Sequence, residues 1–297
     1  MTPAPSTAVP PRRRASPPRT WAALCASALL ATGCGRFGAD AAEAVTIEPD
    51  DWRLTRSENV DFGDFGDDPG YAPSAPGDDE AIRVTLEKGS NYGTGSYHLL
   101  PEGTEEAWMS YCVRFARNWT TATGGKLPGF AGDSSPDNGG QGGAPATGDN
   151  AWSARGMYGE FDAEAAAVPL GQYVYHSAYA ERSDYGDADW WAPGPDRLFD
   201  EAVRARHDRW YAVRQHLRVN APGEENGLIE AWVDGERVYE RDGLHFTDNE
   251  AFRSIHRIWL DVYHGGAEKS PHDQHVYFDQ FNVSTGAEDA TSVDCRN

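Results

Sequence analysis

Apolar and polar residues alternate in short runs along most of this chain. In the run over residues 108–115, Met109, Tyr111, Val113 and Phe115 would share one face. A period of two is typical of a β-strand with one buried face. The same alternation predicts strands at 81–86, 152–158, 173–179, 210–219, 228–233, 237–240, 258–263 and 276–283.

Turn residues separate these runs. Asp234 and Gly235 stand between two of them, a pair that favours a two-residue hairpin turn. Residues 198–209 show a weak helical pattern, so we expect one short helix there. Many short strands with little helix predict an all-β fold, a single-domain antiparallel sandwich of two sheets or jelly roll.

The N-terminal residues follow a different pattern. Four arginines precede an apolar stretch at 21–30, and the sequence ATGC ends at Cys34. This arrangement is typical of a bacterial export signal, and it leaves open plain secretion or lipidation of Cys34 as a lipoprotein. We therefore predict a signal over 1–34, a linker over 35–45 and one domain over 46–297. The mature protein is expected outside the cytoplasm, secreted or lipid-anchored at the cell surface.

The charge of the chain narrows the kinds of partner. It carries 26 basic and 47 acidic residues, for a formal net charge of −21. Nucleic acid is therefore excluded as a partner, because binding it depends on neutralising phosphates. Membrane contact is expected only through the lipid anchor, and the protein is expected to be a monomer. An anionic substrate would need a local cationic site against this repelling background.

Two cysteines lie outside the export signal. They are Cys112, within a predicted strand, and Cys295, the third residue from the end of the sequence. In an exported protein, two remaining cysteines predict one disulfide, here between an interior strand and the C-terminal tail. The alternative is a pair of free thiols, with Cys112 buried.

The polar residues that indicate chemistry lie between positions 124 and 176. Lys126, one of three lysines in the chain, precedes Leu-Pro-Gly, which we interpret as a strand end followed by a turn. Because side chains alternate along a strand, Ser153 and Arg155 share one face, as do Tyr173 and Tyr175. Singly, each has an ordinary structural explanation, but as a set they predict one polar groove.

Such a set suits the removal of a weakly acidic proton beside a carboxylate. Lys126 and Arg155 would neutralise the carboxylate and stabilise the enolate that forms. Nearby cations lower a tyrosine pKa from its ordinary value of about 10, so Tyr173 or Tyr175 could take the proton. The other tyrosine would donate a proton to the leaving oxygen, or one tyrosine would do both. The scheme requires no metal and no cofactor.

The chain resembles polysaccharide lyase family 14, the alginate and glucuronate lyases, in the segments GGKLPGFAG, WSARGMYG, YVYH, GLIEAWVDGERVYERDG, WLDVYHGG and HVYFDQFNVS. The resemblance spans residues 105–284, roughly. It implies a β-jelly roll and eliminative cleavage of a polyuronate, alginate first and glucuronan second. The family's lysine matches Lys126, its Ser-x-Arg matches Ser153 and Arg155, and its tyrosine pair matches Tyr173 and Tyr175.

Further substrate contacts are expected near this set. His264 would border the groove at the end of WLDVYH, unless it is a structural histidine, and Trp190 and Trp191 could stack on sugar rings or pack within a loop. The glycine-rich loop at 133–150 is either disordered or a flexible lid. We interpret its aspartates, at positions 133, 137 and 149, as solvated, because their spacing does not support a calcium site.

Two other classes of function remain open. Glu160, Asp162 and Glu164 match the E-x-D-x-E strand of laminarinase-like glycoside hydrolases, in which the three carboxylates share one face. They lie in an acidic insertion between Arg155 and Tyr173 that could equally be a loop. The third class is a carbohydrate-binding jelly roll without catalysis, which would not need the Lys, Arg and Tyr set.

Overall fold

The structure is a computed structural model that describes residues 45–54, 59–63, 81–133, 138–180, 186–193, 196–266, 268–285 and 293–295. The predicted signal, with Cys34, lies outside the described residues, as does nearly all of the linker. Where the chain is described, no helix is both long and apolar enough to cross a bilayer.

The regular secondary structure of the described residues is almost all β. The strands are β1 (Val45–Thr46), β2 (Val60–Gly63), β3 (Ala81–Leu86), β4 (Tyr92–Thr104), β5 (Glu106–Phe115), β6 (Gly125–Ala131), β7 (Ser153–Tyr158), β8 (Ala167–Tyr175), β9 (Asp187–Trp190), β10 (Arg204–Arg206), β11 (Trp210–Arg218), β12 (Gly227–Val233), β13 (Glu236–Leu244), β14 (Ile255–His264) and β15 (Gln274–Ser284). Helical structure is short: α1 (Ser177–Ala180) and 3-10 turns at Pro49–Asp51, Phe199–Glu201 and Glu250–Phe252.

These strands form two antiparallel sheets that pack as a jelly roll. The eight-stranded sheet runs β13-β12-β11-β5-β15-β3-β2, with β1 also paired to β15. The seven-stranded sheet runs β10-β8-β7-β6-β14-β4, with β9 also paired to β8. The predicted fold class is confirmed.

The core lies between the sheets. Tyr111 and Val113 of β5 belong to one apolar cluster with Ala154 of β7, Val174 of β8 and Leu260 of β14, and all five are fully or almost fully buried. Because strand side chains alternate, the neighbours of these residues in the seven-stranded sheet point to its outer face. That outer face carries the polar residues singled out by the sequence.

One buried amide joins the two sheets. Gln215 on β11 donates from Nε2 to the main-chain oxygen of Pro128 on β6, at 3.0 Å, and to the hydroxyl of Tyr111, at 3.2 Å. Gln215 is fully buried, so both bonds form out of contact with water. Pro128 lies where the pairing of β6 with β7 shifts register, between Lys126 and Gly129.

The local predictions fared unevenly. The turn at Asp234 and Gly235 is confirmed: both residues have positive φ, 51° and 83°, and they join β12 to β13. The helix predicted at 198–209 is wrong, because that segment holds a 3-10 turn and strand β10. The strand predicted at 173–179 ends at Tyr175, before α1.

The predicted disulfide is confirmed. Cys112 of β5 is bonded to Cys295, with their Cα atoms 5.6 Å apart. A small apolar cluster packs around it, including Trp210 and Tyr277, on the side of the eight-stranded sheet away from the main core. The bond holds the described part of the C-terminal tail against this side.

Candidate active site

A groove with a volume of about 960 Å³ lies on the outer face of the seven-stranded sheet. Its lining comes from strands β6, β7, β8, β9 and β14, from Gly142 and Gly143 of the glycine-rich loop, and from residues 122–124, 159–160, 199 and 265–266 outside the strands. Lys126, Tyr173 and Tyr175 all line it.

The strand register brings these residues together. Arg155 of β7 pairs with Tyr173 of β8, and Lys126 of β6 pairs with Tyr263 of β14. The Lys126 Nζ lies 4.3 Å from the ring centroid of Tyr173 and 5.0 Å from that of Tyr263. The side chains of Tyr173 and Tyr175 lie side by side, with ring centroids 5.5 Å apart.

Lys126 lies inside a strand, contrary to the prediction that it ends one. Strand β6 continues through Leu-Pro-Gly because two glycines let it approach its neighbours closely. A Cβ at Gly125 would lie 1.9 Å from the main-chain oxygen of Tyr263, and a Cβ at Gly129 would lie 2.4 Å from the Cα of Arg155. The glycines of GGKLPG therefore allow β6 to pack closely between β7 and β14.

Lys126 is a partly buried cation with a lowered pKa. Burial is the main cause, the nearby Arg155 adds repulsion, and Asp261 partly opposes both, which together bring the Lys126 pKa to about 7. The side chain therefore changes its protonation near neutral pH, and an anion arriving in the groove would draw it toward the charged form.

Arg155 lies beneath the groove instead of lining it. Its Nη1 is 2.5 Å from Oδ2 of Asp261, and the two side chains are 3% and 1% exposed. The guanidinium stacks on Trp259, 4.5 Å from its ring centroid, and lies 5.4 Å from the ring centroid of Tyr175. Asp261 thus already balances the charge of Arg155. The guanidinium does not line the groove itself but lies near Tyr175, which does.

A second buried ion pair supports the first. Arg257 packs on Trp259, 4.2 Å from the ring centroid, so Trp259 contacts both Arg257 and Arg155. Arg257 is paired with Asp133 at 3.1 Å, and both are buried. The interpretation of Asp133 as a solvated loop acid is therefore wrong. The sequence analysis missed these two buried ion pairs. Arg257, Trp259 and Asp261 stand at alternate positions of a largely apolar strand, and that pattern could have indicated them.

The two tyrosines have different surroundings. The hydroxyl of Tyr173 accepts a hydrogen bond from the main-chain N–H of Gly186 at 3.1 Å. Tyr175 is 2% exposed; burial raises its pKa above the ordinary value, Tyr173 raises it further, and Arg155 opposes them. Tyr175 is therefore a protonated phenol at neutral pH.

Ser153 secures the glycine-rich loop. It is fully buried, and its Oγ donates to the main-chain oxygen of Gly140 at 2.5 Å. The base of the loop is fixed in the same way, because Thr247 Oγ1 donates to the oxygen of Gly148 at 2.7 Å. The hydroxyl of Ser153, predicted to bind substrate, is thus engaged by the loop whose tip lines the groove.

The remaining predicted contacts divide by burial. Trp190 lines the groove. Trp191 is fully buried and donates from Nε1 to Gln172 Oε1 at 3.3 Å, so its predicted substrate contact is wrong. His264 is also fully buried, and strand alternation turns it away from its groove-lining neighbour Tyr263, so that prediction is wrong too.

The three carboxylates of the hydrolase hypothesis do not share a strand face. Residues 160–164 form a bend and turn between β7 and β8. Asp162 Oδ1 accepts hydrogen bonds from the main-chain N–H of Glu164 and of Ala165, each at 3.0 Å, as a turn-capping residue does. Glu160 alone of the three lines the groove. The geometric basis for retaining hydrolysis is absent from this segment.

An open groove of aromatic and polar side chains on one sheet of a jelly roll suits a carbohydrate ligand. The sequence profile named Polysaccharide lyase 14 matches residues 77–281, more than half of the chain. The chain therefore belongs to the polysaccharide lyase 14 family, and the protein is a polysaccharide lyase. Among curated proteins, no sequence matches it significantly.

Solved structures share the fold. An alginate lyase Aly36B variant in complex with an alginate tetrasaccharide is 22% identical over 82% of this chain and 97% of its own, with a TM-score of 0.59. The alginate lyase of Aplysia kurodai is 18% identical over 82% and 99%, with a TM-score of 0.60. The endo-β-1,4-glucuronan lyase of the fungus Trichoderma reesei is 14% identical over 82% and 95%, with a TM-score of 0.51.

Proposed function

We propose that this lyase cleaves an acidic, uronate-containing polysaccharide by β-elimination, with alginate the first choice of backbone and glucuronan the second. The observation that carries the proposal is the grouping of Lys126, Tyr173 and Tyr175 in one groove. The names of the structural neighbours, alginate lyases and a glucuronan lyase, support the substrate class.

Lys126 faces the uronate carboxylate in this scheme. The ammonium group pairs with the carboxylate and stabilises the negative charge that moves onto it when the C5 proton leaves. Before substrate binds, Lys126 has a pKa of about 7. An anionic partner raises that pKa, so the lysine is charged in the complex. The sequence analysis gave the neutralising role to Lys126 and Arg155 together. We assign it to Lys126 alone, because Arg155 is buried against Asp261.

Tyr173 takes the proton and Tyr175 supplies one. The hydroxyl of Tyr173 accepts a hydrogen bond from the N–H of Gly186, and Lys126 lies over its ring, so Tyr173 is held beside the lysine that binds the carboxylate. The raised pKa of Tyr175 keeps its proton available for the leaving O4. The C5–H electrons form the C4=C5 double bond as the C4–O4 bond breaks. Tyr173 reacts as a phenolate, so the proton from C5 ends on its oxygen while the proton of Tyr175 ends on O4. Proton exchange with water then restores both tyrosines. The scheme uses no metal ion.

Arg155 acts as a positioning residue for Tyr175. Its guanidinium lies under the ring and is fixed by Asp261 and Trp259. A cation in this place orients the phenol and limits the rise of its pKa, which burial alone would carry further.

The test is a screen of the purified protein on polyuronates, recording the ultraviolet absorbance of the unsaturated product. Tyr175→Phe and Tyr173→Phe should each abolish that absorbance. Tyr211→Phe is the matched control, because Tyr211 is a buried tyrosine outside the groove whose hydroxyl accepts from the N–H of Arg206. New reducing ends without ultraviolet absorbance would refute elimination, and retention on a polysaccharide column without cleavage would indicate a binding module.

We also propose that the enzyme works outside the cytoplasm as a monomer, secreted or lipid-anchored through Cys34. The disulfide between Cys112 and Cys295 supports export, because such bonds persist in oxidising compartments. Mass spectrometry of the mature N-terminus would distinguish a diacylglyceryl group on Cys34 from an unmodified cleavage product. Light scattering would give the mass of one chain if the monomer is correct.

A further inference from the structure

The groove is nearly uncharged. Of the described residues that line it, Lys126 is the one basic side chain and Glu160 the one acidic side chain; most others are glycine or aromatic. A polyuronate brings one carboxylate with every sugar, so one lysine can pair with only one of them.

Glu160 and Trp190 are neighbours within this groove. A Cβ on Gly159 would lie 2.8 Å from the ring of Trp190, so the indole packs directly on the backbone that precedes Glu160. Trp190 meets Phe199 edge to face, with ring centroids 4.9 Å apart, which fixes its orientation. Glu160 is exposed and, among the described residues, forms no ion pair with Lys or Arg.

An aromatic face beside a free carboxylate suits an uncharged sugar. The ring of Trp190 offers an apolar surface for the C–H face of a pyranose, and Glu160 accepts hydrogen bonds from hydroxyl groups. A uronate in the same place would bring its carboxylate toward Glu160. Arg204, which packs over the ring of Phe199, is already paired with Asp162, so its charge is offset. Such an approach is repulsive, and the net charge of −21 adds to it.

We propose that the preferred substrate is a heteropolysaccharide in which the uronate cleaved at Lys126 neighbours an uncharged sugar, and that Glu160 and Trp190 form the subsite for that uncharged sugar. The inference rests on the proposed lyase function but departs from its two named backbones, because every sugar of alginate and glucuronan carries a carboxylate. It makes Glu160 a specificity-determining residue.

The experiment compares two polymers that share one backbone. One is an alginate or glucuronan; the other is the same polymer with about half of its carboxylates chemically reduced to primary alcohols. The rate of unsaturated product, expressed per remaining uronate, should be at least about threefold higher on the reduced polymer. Glu160→Gln should raise kcat/KM on the full polyuronate about tenfold and remove the preference. Glu164→Gln, an exposed acid in the same turn but outside the groove, is the control with an identical change of charge.

Salt gives an independent readout. Raising the ionic strength screens repulsion between exposed charges, so wild-type activity on the full polyuronate should rise relative to that of Glu160→Gln. Trp190→Ala should raise KM on the reduced polymer. An unchanged preference and salt response in Glu160→Gln would overturn the subsite while leaving the lyase intact. Absence of unsaturated product from both polymers would instead refute the uronate lyase function.

Discussion

Binding of a uronate oligosaccharide should make the protein take up a proton, and the proton should go to Lys126. In the protein without ligand, the pKa of Lys126 is about 7 because the side chain is partly buried beside Arg155. At pH 8 a group with this pKa is about one-tenth protonated. A carboxylate within about 4–6 Å raises such a pKa by roughly 1–3 units. A rise of about two units would leave Lys126 about nine-tenths protonated in the complex.

The expected uptake is therefore about 0.8 proton per site at pH 8. It should vanish well below pH 7, where the lysine is charged before binding, and above about pH 10, where it is neutral in both states. Because uptake and affinity are linked, the dissociation constant should fall as the pH is lowered through this window, by up to about 100-fold in total.

The assay is titration calorimetry in buffers of different ionisation enthalpy, using Tyr175→Phe so that the ligand is bound but not cleaved. The slope of binding enthalpy against buffer enthalpy gives the number of protons. Lys126→Arg is the control, because arginine stays charged at all accessible pH values and should show no slope. A slope of zero with Lys126 present, or an equal slope with arginine, would refute the assignment of the proton to this lysine.

Three further substitutions test the layers around the groove. Asp261→Asn leaves the buried Arg155 cation without its partner and should lower the free energy of unfolding by about 3–5 kcal/mol in urea denaturation; a loss under about 1 kcal/mol would contradict this reading. Ser153→Ala removes the hydrogen bond to the Gly140 oxygen and should lower the free energy of unfolding by about 1 kcal/mol. It should also speed amide hydrogen exchange in the loop at 138–150. Unchanged exchange would show that other contacts hold the loop. Cys295→Ser should lower the unfolding free energy by about 2–5 kcal/mol with little change in kcat/KM at 25 °C, and a selective loss of kcat would tie the tail to catalysis.

Alternation predicted the strands whose inner faces are apolar, such as β5, β11 and β14. It did not predict β4 and β6. Strand β4 contains glycines and Pro101 and lies at a sheet edge, where such residues are tolerated. Strand β6 is interior, and Pro128 fits because the pairing shifts register there. In both, tertiary contacts override the local preference of the residues.

Part of the candidate active site could be predicted from the sequence. The sequence pointed to Lys126 and the tyrosine pair, through strand alternation and through the resemblance, and these residues do line the groove. It gave no indication that Arg155 is paired with Asp261, because these residues are 106 positions apart and only the fold joins them. The acidic run at 160–164 shows the opposite error. Its period of two imitates a strand, but Asp162 caps a turn through its own carboxylate.

The amide of Gln215 has a consequence for engineering this enzyme. It belongs to the sheet that makes no contact with the groove, yet it holds the strand of Lys126 at Pro128, two residues from the lysine. A change of side chain at position 215, or at Tyr111 beside it, would let β6 move relative to β8. Such a movement would change the distance between Lys126 and Tyr173. Libraries restricted to substrate-facing positions would miss this means of tuning the reaction from the back of the molecule.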